Sequence, residues 1–223
     1  QGLWNTYKIV MNKLEAPSTL GYSAAGEVIA VGDDITDIKV GDFVACAGLE
    51  ACHAEVISVP YNLCVKVNKS ENIKAASFVA LGAIALQGVR RAECKVGENV
   101  LVIGLGTLGL LTIQFLNASG CNAFGMDIDE WAASKALENG AFAAYPRSKA
   151  GIEGLFMEQT QGIGFDSIII TAGTSSLDPI NFAGRLCRRK GKVVIVGAVP
   201  TGFNREDYYK KELDLLMSTS YGP

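Results

Sequence analysis

The sequence has little histidine and no closely spaced cysteine pairs. His53 is the single histidine in 223 residues, and no CxxC motif occurs among the six cysteines, which are Cys46, Cys52, Cys64, Cys94, Cys121 and Cys187. Structural zinc sites usually take four Cys or His ligands, often with cysteines paired at short spacing. The sequence therefore predicts no metal site, and it favours reduced thiols in a cytoplasmic protein.

Long apolar runs and an excess of basic residues are also missing. The longest apolar stretches, around residues 77–89 and 100–116, are short for a bilayer span and are broken by polar residues. Lys and Arg number 20 against 23 Asp and Glu, so the net charge is −3 and no basic stripe could follow a phosphate backbone. These features argue against a membrane protein and a nucleic-acid-binding protein. The 49% hydrophobic content predicts one or two globular domains instead.

Short apolar runs separated by glycine fill the first third of the chain. They predict antiparallel strands of a small β domain, which we assign to residues 1–76. In residues 77–94 the apolar positions have helical spacing, and Arg90 and Arg91 lie near the end, where cations suit a helix C-terminus. This segment is predicted to be a helix that connects two domains.

Strands and helices alternate after Lys95. Apolar strands are predicted at residues 100–103, 122–126, 143–145, 167–171 and 193–197, with helices between them. Continuous apolar strands alternating with helices are typical of an α/β fold with a doubly wound parallel sheet. We assign this domain to residues 95–203. Residues 204–223 break the pattern and are predicted to be a connector.

Three glycines follow the first of these strands, in the sequence VLVIGLGTLG. Their GxGxxG spacing between a strand and a helix is typical of dinucleotide binding. The first glycine allows a tight turn, the second lets a pyrophosphate approach the main chain, and the third lets the helix pack closely on the sheet. The helix N-terminus adds free N–H groups and the positive end of its dipole. The predicted pyrophosphate-binding residues are Gly104, Gly106, Thr107, Leu108 and Gly109.

An acidic residue, Asp127, ends the second strand, about 20 residues after the glycines, as the dinucleotide-binding pattern requires. Its carboxylate could accept both ribose hydroxyls and would repel a 2′-phosphate. Ile128 follows it, and no Lys or Arg comes before Lys135, which favours NAD over NADP. The nicotinamide side of the site is predicted at the ends of the fourth and fifth strands, at Thr171, Ala172, Gly173, Val196, Gly197 and Ala198.

The order of these parts resembles the medium-chain dehydrogenase/reductase superfamily, the alcohol dehydrogenase-like proteins. The resemblance is carried by AAGEVIAVGDDITDIKVGDFV, VLVIGLGTLG and GMDID. It implies a partial GroES-like β domain followed by a Rossmann domain, a nicotinamide cofactor and a small-molecule substrate.

A narrower resemblance is carried by TYKIVMNKLEAPSTLGYSAAGEV, AEVISVPYNLCVKV and KKELDLLMSTSYGP. These segments are similar to the first module of two-module oxidoreductases associated with bacterial surface polysaccharide synthesis, in which a Gfo/Idh/MocA-type module follows. This resemblance implies a chain that is incomplete at both ends, a second oxidoreductase module outside it, and a sugar or sugar-derived alcohol as substrate. The sequence leaves open whether the protein forms a homodimer.

The resemblance also makes the zinc-ligand positions informative. Zinc-dependent relatives have a His where this chain has Tyr22, and a second Cys ligand where it has residues 79–81. Cys46, Cys52 and His53 offer only three ligands at irregular spacing. The sequence therefore predicts a zinc-independent protein.

Tyr22 and His53 are the candidate catalytic residues. His53 has the one side chain whose ordinary pKa suits proton relay near neutrality. Tyr22 could donate a hydrogen bond to a carbonyl or to the nicotinamide ribose, and a structural role is the alternative for both residues. The main hypothesis is an NAD(H)-dependent dehydrogenase or reductase that moves a hydride at a carbonyl or alcohol carbon. Three alternatives stay open: an NADPH-dependent quinone or enone reductase, an NAD-binding module without turnover, and a zinc alcohol dehydrogenase with relocated ligands.

Overall fold

The computed structural model describes residues 2, 4–7, 11, 19–68 and 73–222. The chain divides into two compact units, Gln1–Ala80 and Leu81–Pro223. Part of the resemblance quoted above, residues 8–10 and 12–18, lies outside the described residues.

The first unit contains a small antiparallel sheet. Its strands are β1 (Ser23–Glu27), β2 (Phe43–Ala47) and β3 (Cys64–Val67), hydrogen-bonded in the order β1-β2-β3. A 3₁₀ turn, Tyr61–Leu63, precedes β3, and the short helix α1 (Ile73–Ala76) follows it. A small apolar core of Ile38, Val44, Cys46 and Ala51 supports the sheet. The predicted antiparallel β architecture is confirmed, although the apolar run at residues 53–60 forms no strand.

The boundary between the units falls within helix α2, Val79–Ala92. This helix lies inside the segment 77–94 that the sequence predicted to be helical. Arg90 and Arg91 occupy its last turn, where their charge complements the negative end of the helix dipole.

The second unit contains a six-stranded sheet in which every neighbouring pair of strands is parallel. The strand order is β6-β5-β4-β7-β8-β9. The strands are β4 (Asn99–Ile103), β5 (Asn122–Asp127), β6 (Ala143–Pro146), β7 (Phe165–Ile170), β8 (Cys187–Ile195) and β9 (Asp214–Met217). The helices are α3 (Thr107–Ala118), α4 (Glu130–Glu138), α5 (Ile152–Gln159), α6 (Asp178–Leu186) and α7 (Arg205–Lys211). The predicted α/β fold is confirmed.

Alternate residues of β4 pack into two separate cores, one on each face of the sheet. Leu101 and Ile103 belong to the core that includes Phe156 of α5 and Phe182 of α6. Val100 and Val102 belong to the core that includes residues of α2, α3 and α4. Both faces of the strand are therefore buried, which explains why it reads as a continuous apolar run.

Residues 204–222 form an additional helix and strand, where the sequence predicted a connector. Strand β9 pairs with β8 from Lys192↔Asp214 to Ile195↔Met217. The buried Tyr208 hydroxyl of α7 donates a 2.8 Å hydrogen bond to the Ile180 carbonyl. The second unit thus continues past the predicted boundary at residue 203.

The strand order changes direction between β4 and β7. The chain proceeds from β4 to β5 on one side and later returns to β7 on the other side. In sheets of this kind, ligands bind beyond the carboxyl ends of the strands at such a point. Among the residues that the structure describes, no helix is long and apolar enough to cross a membrane.

Candidate nucleotide-binding site

The turn after β4 needs glycine at residue 104. Its φ of +98° lies in the left-handed region that favours glycine. A Cβ there would also lie 2.6 Å from the backbone nitrogen of Ala172. That residue follows β7 and is close because its N–H donates a 3.1 Å hydrogen bond to the Ile103 carbonyl. Gly104 therefore allows the loops after β4 and β7 to meet.

Gly109 allows the first turn of α3 to pack on the glycine turn. A Cβ at this position would overlap the Gly104 carbonyl oxygen. The same oxygen accepts a 2.5 Å hydrogen bond from the Thr171 hydroxyl. The predicted role of Gly109 in close helix packing thus agrees with the observed contacts.

Gly106 differs from the other two glycines because the space next to its Cα atom is open. A Cβ there would meet no atom within 4 Å, so the fold itself has room for one. Gly106 precedes α3, and no side chain caps the helix. The first N–H groups of a helix have no intrahelical partners, and they carry the positive end of the dipole. The open space at Gly106 therefore suits an anion such as a phosphate.

Asp127 is tied directly to the glycine turn. Its Oδ2 accepts a 2.5 Å hydrogen bond from the Leu105 N–H, and its Oδ1 accepts a 2.9 Å bond from the Asp129 N–H. Each oxygen keeps further acceptor capacity. Ile128, the next residue, is 87% exposed. The carboxylate is therefore held beside the glycine turn and keeps the capacity to accept further hydrogen bonds.

The two predicted rim segments also lie at this edge of the sheet. Thr171, Ala172 and Gly173 follow β7, while Val196, Gly197 and Ala198 follow β8. The segments are in contact, because a Cβ on Gly197 would overlap the Ala172 carbonyl. The Ala198 carbonyl also accepts a 2.9 Å hydrogen bond from the Thr174 N–H. The structure thus brings all the predicted cofactor-binding segments to one edge of the sheet.

Tyr22 and His53 belong to the first unit. Tyr22 is 42% exposed, and His53 is exposed. The His53 backbone N–H donates a 2.7 Å hydrogen bond to the Leu20 carbonyl. Its imidazole lies so close to Gly21 that a Cβ there would be 2.6 Å from Nε2. The two candidates therefore lie on adjoining loops, and their catalytic roles stay a prediction.

The cysteines of the first unit form a facing pair on neighbouring strands. Cys46 of β2 is opposite Cys64 of β3, with their sulfur atoms 3.7 Å apart. Burial raises the pKa of the Cys46 thiol. In the part of the chain that the structure describes, no group of three or more His, Cys, Asp or Glu side chains is arranged to hold a metal ion.

Sequence reasoning missed one charged pair near this edge. The Arg147 N–H donates a 2.6 Å hydrogen bond to the Asp127 carbonyl, directly after β6. Its guanidinium donates two hydrogen bonds of 2.8 Å to Asp178, the first residue of α6. This bonding raises the pKa of Arg147 and lowers that of Asp178. A strand of only four residues gave little signal that Arg147 lies beside Asp127.

The sequence matches two families of known proteins. Residues 3–71 match the family described as "Alcohol dehydrogenase GroES-like domain", and residues 107–223 match the family described as "Zinc-binding dehydrogenase".

Among curated proteins, the chain is similar to one bacterial and one archaeal dehydrogenase. It is 28% identical to (R,R)-butanediol dehydrogenase of Bacillus subtilis, with 66% of this chain and 50% of the relative covered. It is 26% identical to an NAD-dependent alcohol dehydrogenase of Sulfurisphaera tokodaii, with 88% and 65% covered. The chain thus spans between half and about two thirds of the length of these relatives.

Among solved structures, the fold is similar to three bacterial proteins. The 2R,3R-butanediol dehydrogenase from Bacillus subtilis has a TM-score of 0.81 at 25% identity, with 93% of this chain and 67% of that chain covered. Galactitol-1-phosphate dehydrogenase from Escherichia coli has a TM-score of 0.82 at 21% identity, with 93% and 70% covered. A zinc-binding dehydrogenase from Sinorhizobium meliloti bound to NADP has a TM-score of 0.79 at 24% identity, with 92% and 69% covered.

These similarities agree with the architecture in both units. An antiparallel β unit matched by the GroES-like family comes first, and a six-stranded parallel sheet with a glycine turn follows. The chain belongs to the zinc-binding dehydrogenase family, within the alcohol dehydrogenase-like medium-chain dehydrogenase/reductase superfamily.

Proposed function

We propose that this chain is the nicotinamide-dinucleotide-binding part of an oxidoreductase that transfers a hydride to or from a carbonyl or alcohol carbon. One observation carries the proposal: the open space at Gly106, in front of the α3 N-terminus, lies beside a carboxylate fixed to the Leu105 N–H. A phosphate next to a ribose diol is the chemistry that this pair of features recognises.

Each predicted segment has a separate task in this proposal. The N–H groups at Thr107 and Leu108 bind the pyrophosphate, and Gly106 leaves space for it. Asp127 accepts hydrogen bonds from the adenosine ribose. The loops after β7 and β8 border the nicotinamide side. When bound, the nicotinamide supplies or accepts the hydride, and the protein supplies orientation and a route for the proton.

We further propose that the cofactor is NAD rather than NADP. Asp127, Asp129 and Glu130 place three carboxylates within four residues at the end of β5. The nearby cation Arg147 is already paired with Asp178. A 2′-phosphate would meet these negative charges, and the charge of Arg147 is already balanced by Asp178. The Sulfurisphaera tokodaii relative is named NAD-dependent, which agrees with this proposal, whereas the Sinorhizobium meliloti structure is bound to NADP.

Zinc independence is part of the same proposal. Residue 22 is a tyrosine, which offers no imidazole nitrogen to a metal. Cys46 faces one other thiol, Cys64, and the described residues contain no group of three or more His, Cys, Asp or Glu side chains that would complete a zinc site around this pair. Tyr22 and His53 are then the candidates for hydrogen bonding and proton transfer.

The proposed substrate is a sugar or a sugar-derived alcohol. The resemblance to two-module polysaccharide-associated oxidoreductases supports this class, and the chain's similarity to galactitol-1-phosphate and butanediol dehydrogenases adds polyols. The same resemblance supports a second oxidoreductase module outside this chain.

The test combines NAD⁺ with a panel of diols, sugar alcohols and sugar alcohol phosphates and follows NADH formation by its near-ultraviolet absorbance. We expect turnover with at least one polyol, unchanged after dialysis against a zinc chelator. Tight NADH binding without turnover of any panel member, in this chain and in the longer protein, would instead favour a non-catalytic NAD-binding module.

A further inference from the structure

The ion pair between Arg147 and Asp178 joins two segments that border the proposed adenosine half of the site. Arg147 is fixed next to Asp127 by its 2.6 Å backbone hydrogen bond. Asp178 begins α6, shortly after the rim segment Thr171–Gly173. Both hydrogen bonds between the two side chains measure 2.8 Å. The pair therefore connects the ribose side of the site with the loop after β7.

The guanidinium of Arg147 is also held against an aromatic ring. Its central carbon lies 4.5 Å from the ring centroid of Phe182, which is fully buried. The Arg147 side chain nevertheless remains 30% exposed. The guanidinium is therefore held in place by Asp178 and Phe182, while part of the Arg147 side chain stays accessible to a ligand.

A second pair of the same type provides a comparison within the molecule. Arg185 donates two hydrogen bonds to Glu153, at 3.0 and 2.8 Å, and its guanidinium carbon lies 5.6 Å from the centroid of the same Phe182 ring. Arg185, however, lies in the last turn of α6, at the opposite end of this helix from Asp178. Only the Arg147 pair stands where a nucleotide would bind, although both pairs can stabilise the helices.

A fixed and partly exposed guanidinium is a suitable surface for a flat aromatic base. Arg stacks on π systems because its charge is delocalised over a plane and is weakly hydrated, and nucleobases are bound on Arg planes in this way. Lys carries the same charge but has no flat face. The structure thus offers, beside Asp127, the kind of group that binds adenine.

We propose that Arg147 is a cofactor-binding residue that stacks on the adenine base, and that Asp178 fixes its orientation. This inference rests on the proposed function, since it assigns a residue to the dinucleotide site. Stacking of Arg147 on adenine differs from pairing of its charge with a 2′-phosphate, because adenine is present in both NAD and NADP.

Calorimetric titration of the full chain with ADP-ribose, NADH and NADPH tests the inference. The variants are Arg147→Ala, Arg147→Lys and the matched control Arg185→Ala, and their thermal midpoints are measured in parallel. We expect Arg147→Ala to lose about tenfold in affinity for all three ligands, as removal of one stacking contact does. Arg147→Lys should recover little of the loss, and Arg185→Ala should bind as the unaltered chain does, even if its midpoint falls.

The outcomes separate the inference from the proposed function. If the unaltered chain binds neither ADP-ribose nor NADH, both are overturned. If it binds them and Arg147→Ala binds equally well, only the stacking role is overturned. A loss confined to NADPH, or full recovery by Arg147→Lys, would assign Arg147 to phosphate binding and would also overturn it.

Discussion

The carboxylate of Asp127 accepts a hydrogen bond from the Leu105 N–H, with 2.5 Å between oxygen and nitrogen. This bond joins the end of β5 to the glycine turn after β4. The position of the proposed ribose-binding group and the position of the proposed phosphate-binding turn are therefore set together.

Replacement of Asp127 tests its role as the ribose-binding group. Asp127→Ala removes hydrogen bonds from a charged acceptor, which are each worth about 1.5–3 kcal/mol. We expect NADH affinity to fall about ten- to a hundredfold in fluorescence titrations, and NADPH affinity to fall less. The control is Glu158→Ala, which removes an exposed carboxylate near the end of α5 and should leave both affinities unchanged. Equal losses of NADH and NADPH affinity in Asp127→Ala would contradict the assignment.

Gly106 and Gly109 are expected to respond oppositely to substitution. Gly106→Val places a side chain in the open space before α3, so the protein should fold with a near-normal thermal midpoint but lose dinucleotide binding. Gly109→Ala places a Cβ on the Gly104 carbonyl, and it should cost about 1–3 kcal/mol of unfolding free energy. Normal NADH affinity in Gly106→Val would be evidence against a phosphate at this turn.

A substitution of Tyr208 tests whether the residues after 203 help to stabilise the second unit. Tyr208→Phe removes the buried hydrogen bond to the Ile180 carbonyl and should lower the unfolding free energy by about 1 kcal/mol. Tyr209→Phe is the matched control, because Tyr209 is 67% exposed and should be neutral. Urea denaturation of both variants gives the comparison. If the two are equally stable, the α7 contact contributes nothing.

The Arg147 and Asp178 pair predicts a dependence of stability on pH. The folded-state pKa of Asp178 lies below its ordinary value of 3.8, because Arg147 hydrogen-bonds the charged form. Its contribution is therefore complete above that value and is lost as pH falls through the folded-state pKa. We expect Asp178→Asn to be less stable than the unaltered chain near neutral pH, with the difference shrinking below the ordinary pKa. A difference that stays constant over this pH range would mean that the pair contributes through packing alone.

Zinc should not stabilise the protein. A ligand that binds only the folded state raises the thermal midpoint, and the rise grows with the logarithm of its concentration relative to its Kd. The described residues contain no three-ligand group, so added zinc is expected to leave the midpoint of the chelator-treated chain unchanged. Cadmium, which also prefers thiolates, serves as a second probe of the Cys46 and Cys64 pair. A clear rise with zinc would revive a zinc-dependent mechanism.

Local features of the candidate site could be predicted from the sequence, whereas distant contacts could not. The glycine spacing after β4 and the acidic residue at the end of β5 could be predicted because each belongs to one short, continuous stretch of sequence. Strand β9 was missed because it has only four residues and the charged helix before it interrupts the pattern. The Arg147 and Asp178 bond was missed because 31 residues separate its partners.

We propose that this edge of the sheet binds NAD through Asp127 and the glycine turn. The decisive experiment is a pair of fluorescence titrations of the unaltered chain, one with NADH and one with NADPH. We expect saturable binding of both, with a clear preference for NADH. Preference for NADPH would contradict the role of Asp127, and binding of neither would contradict the site itself.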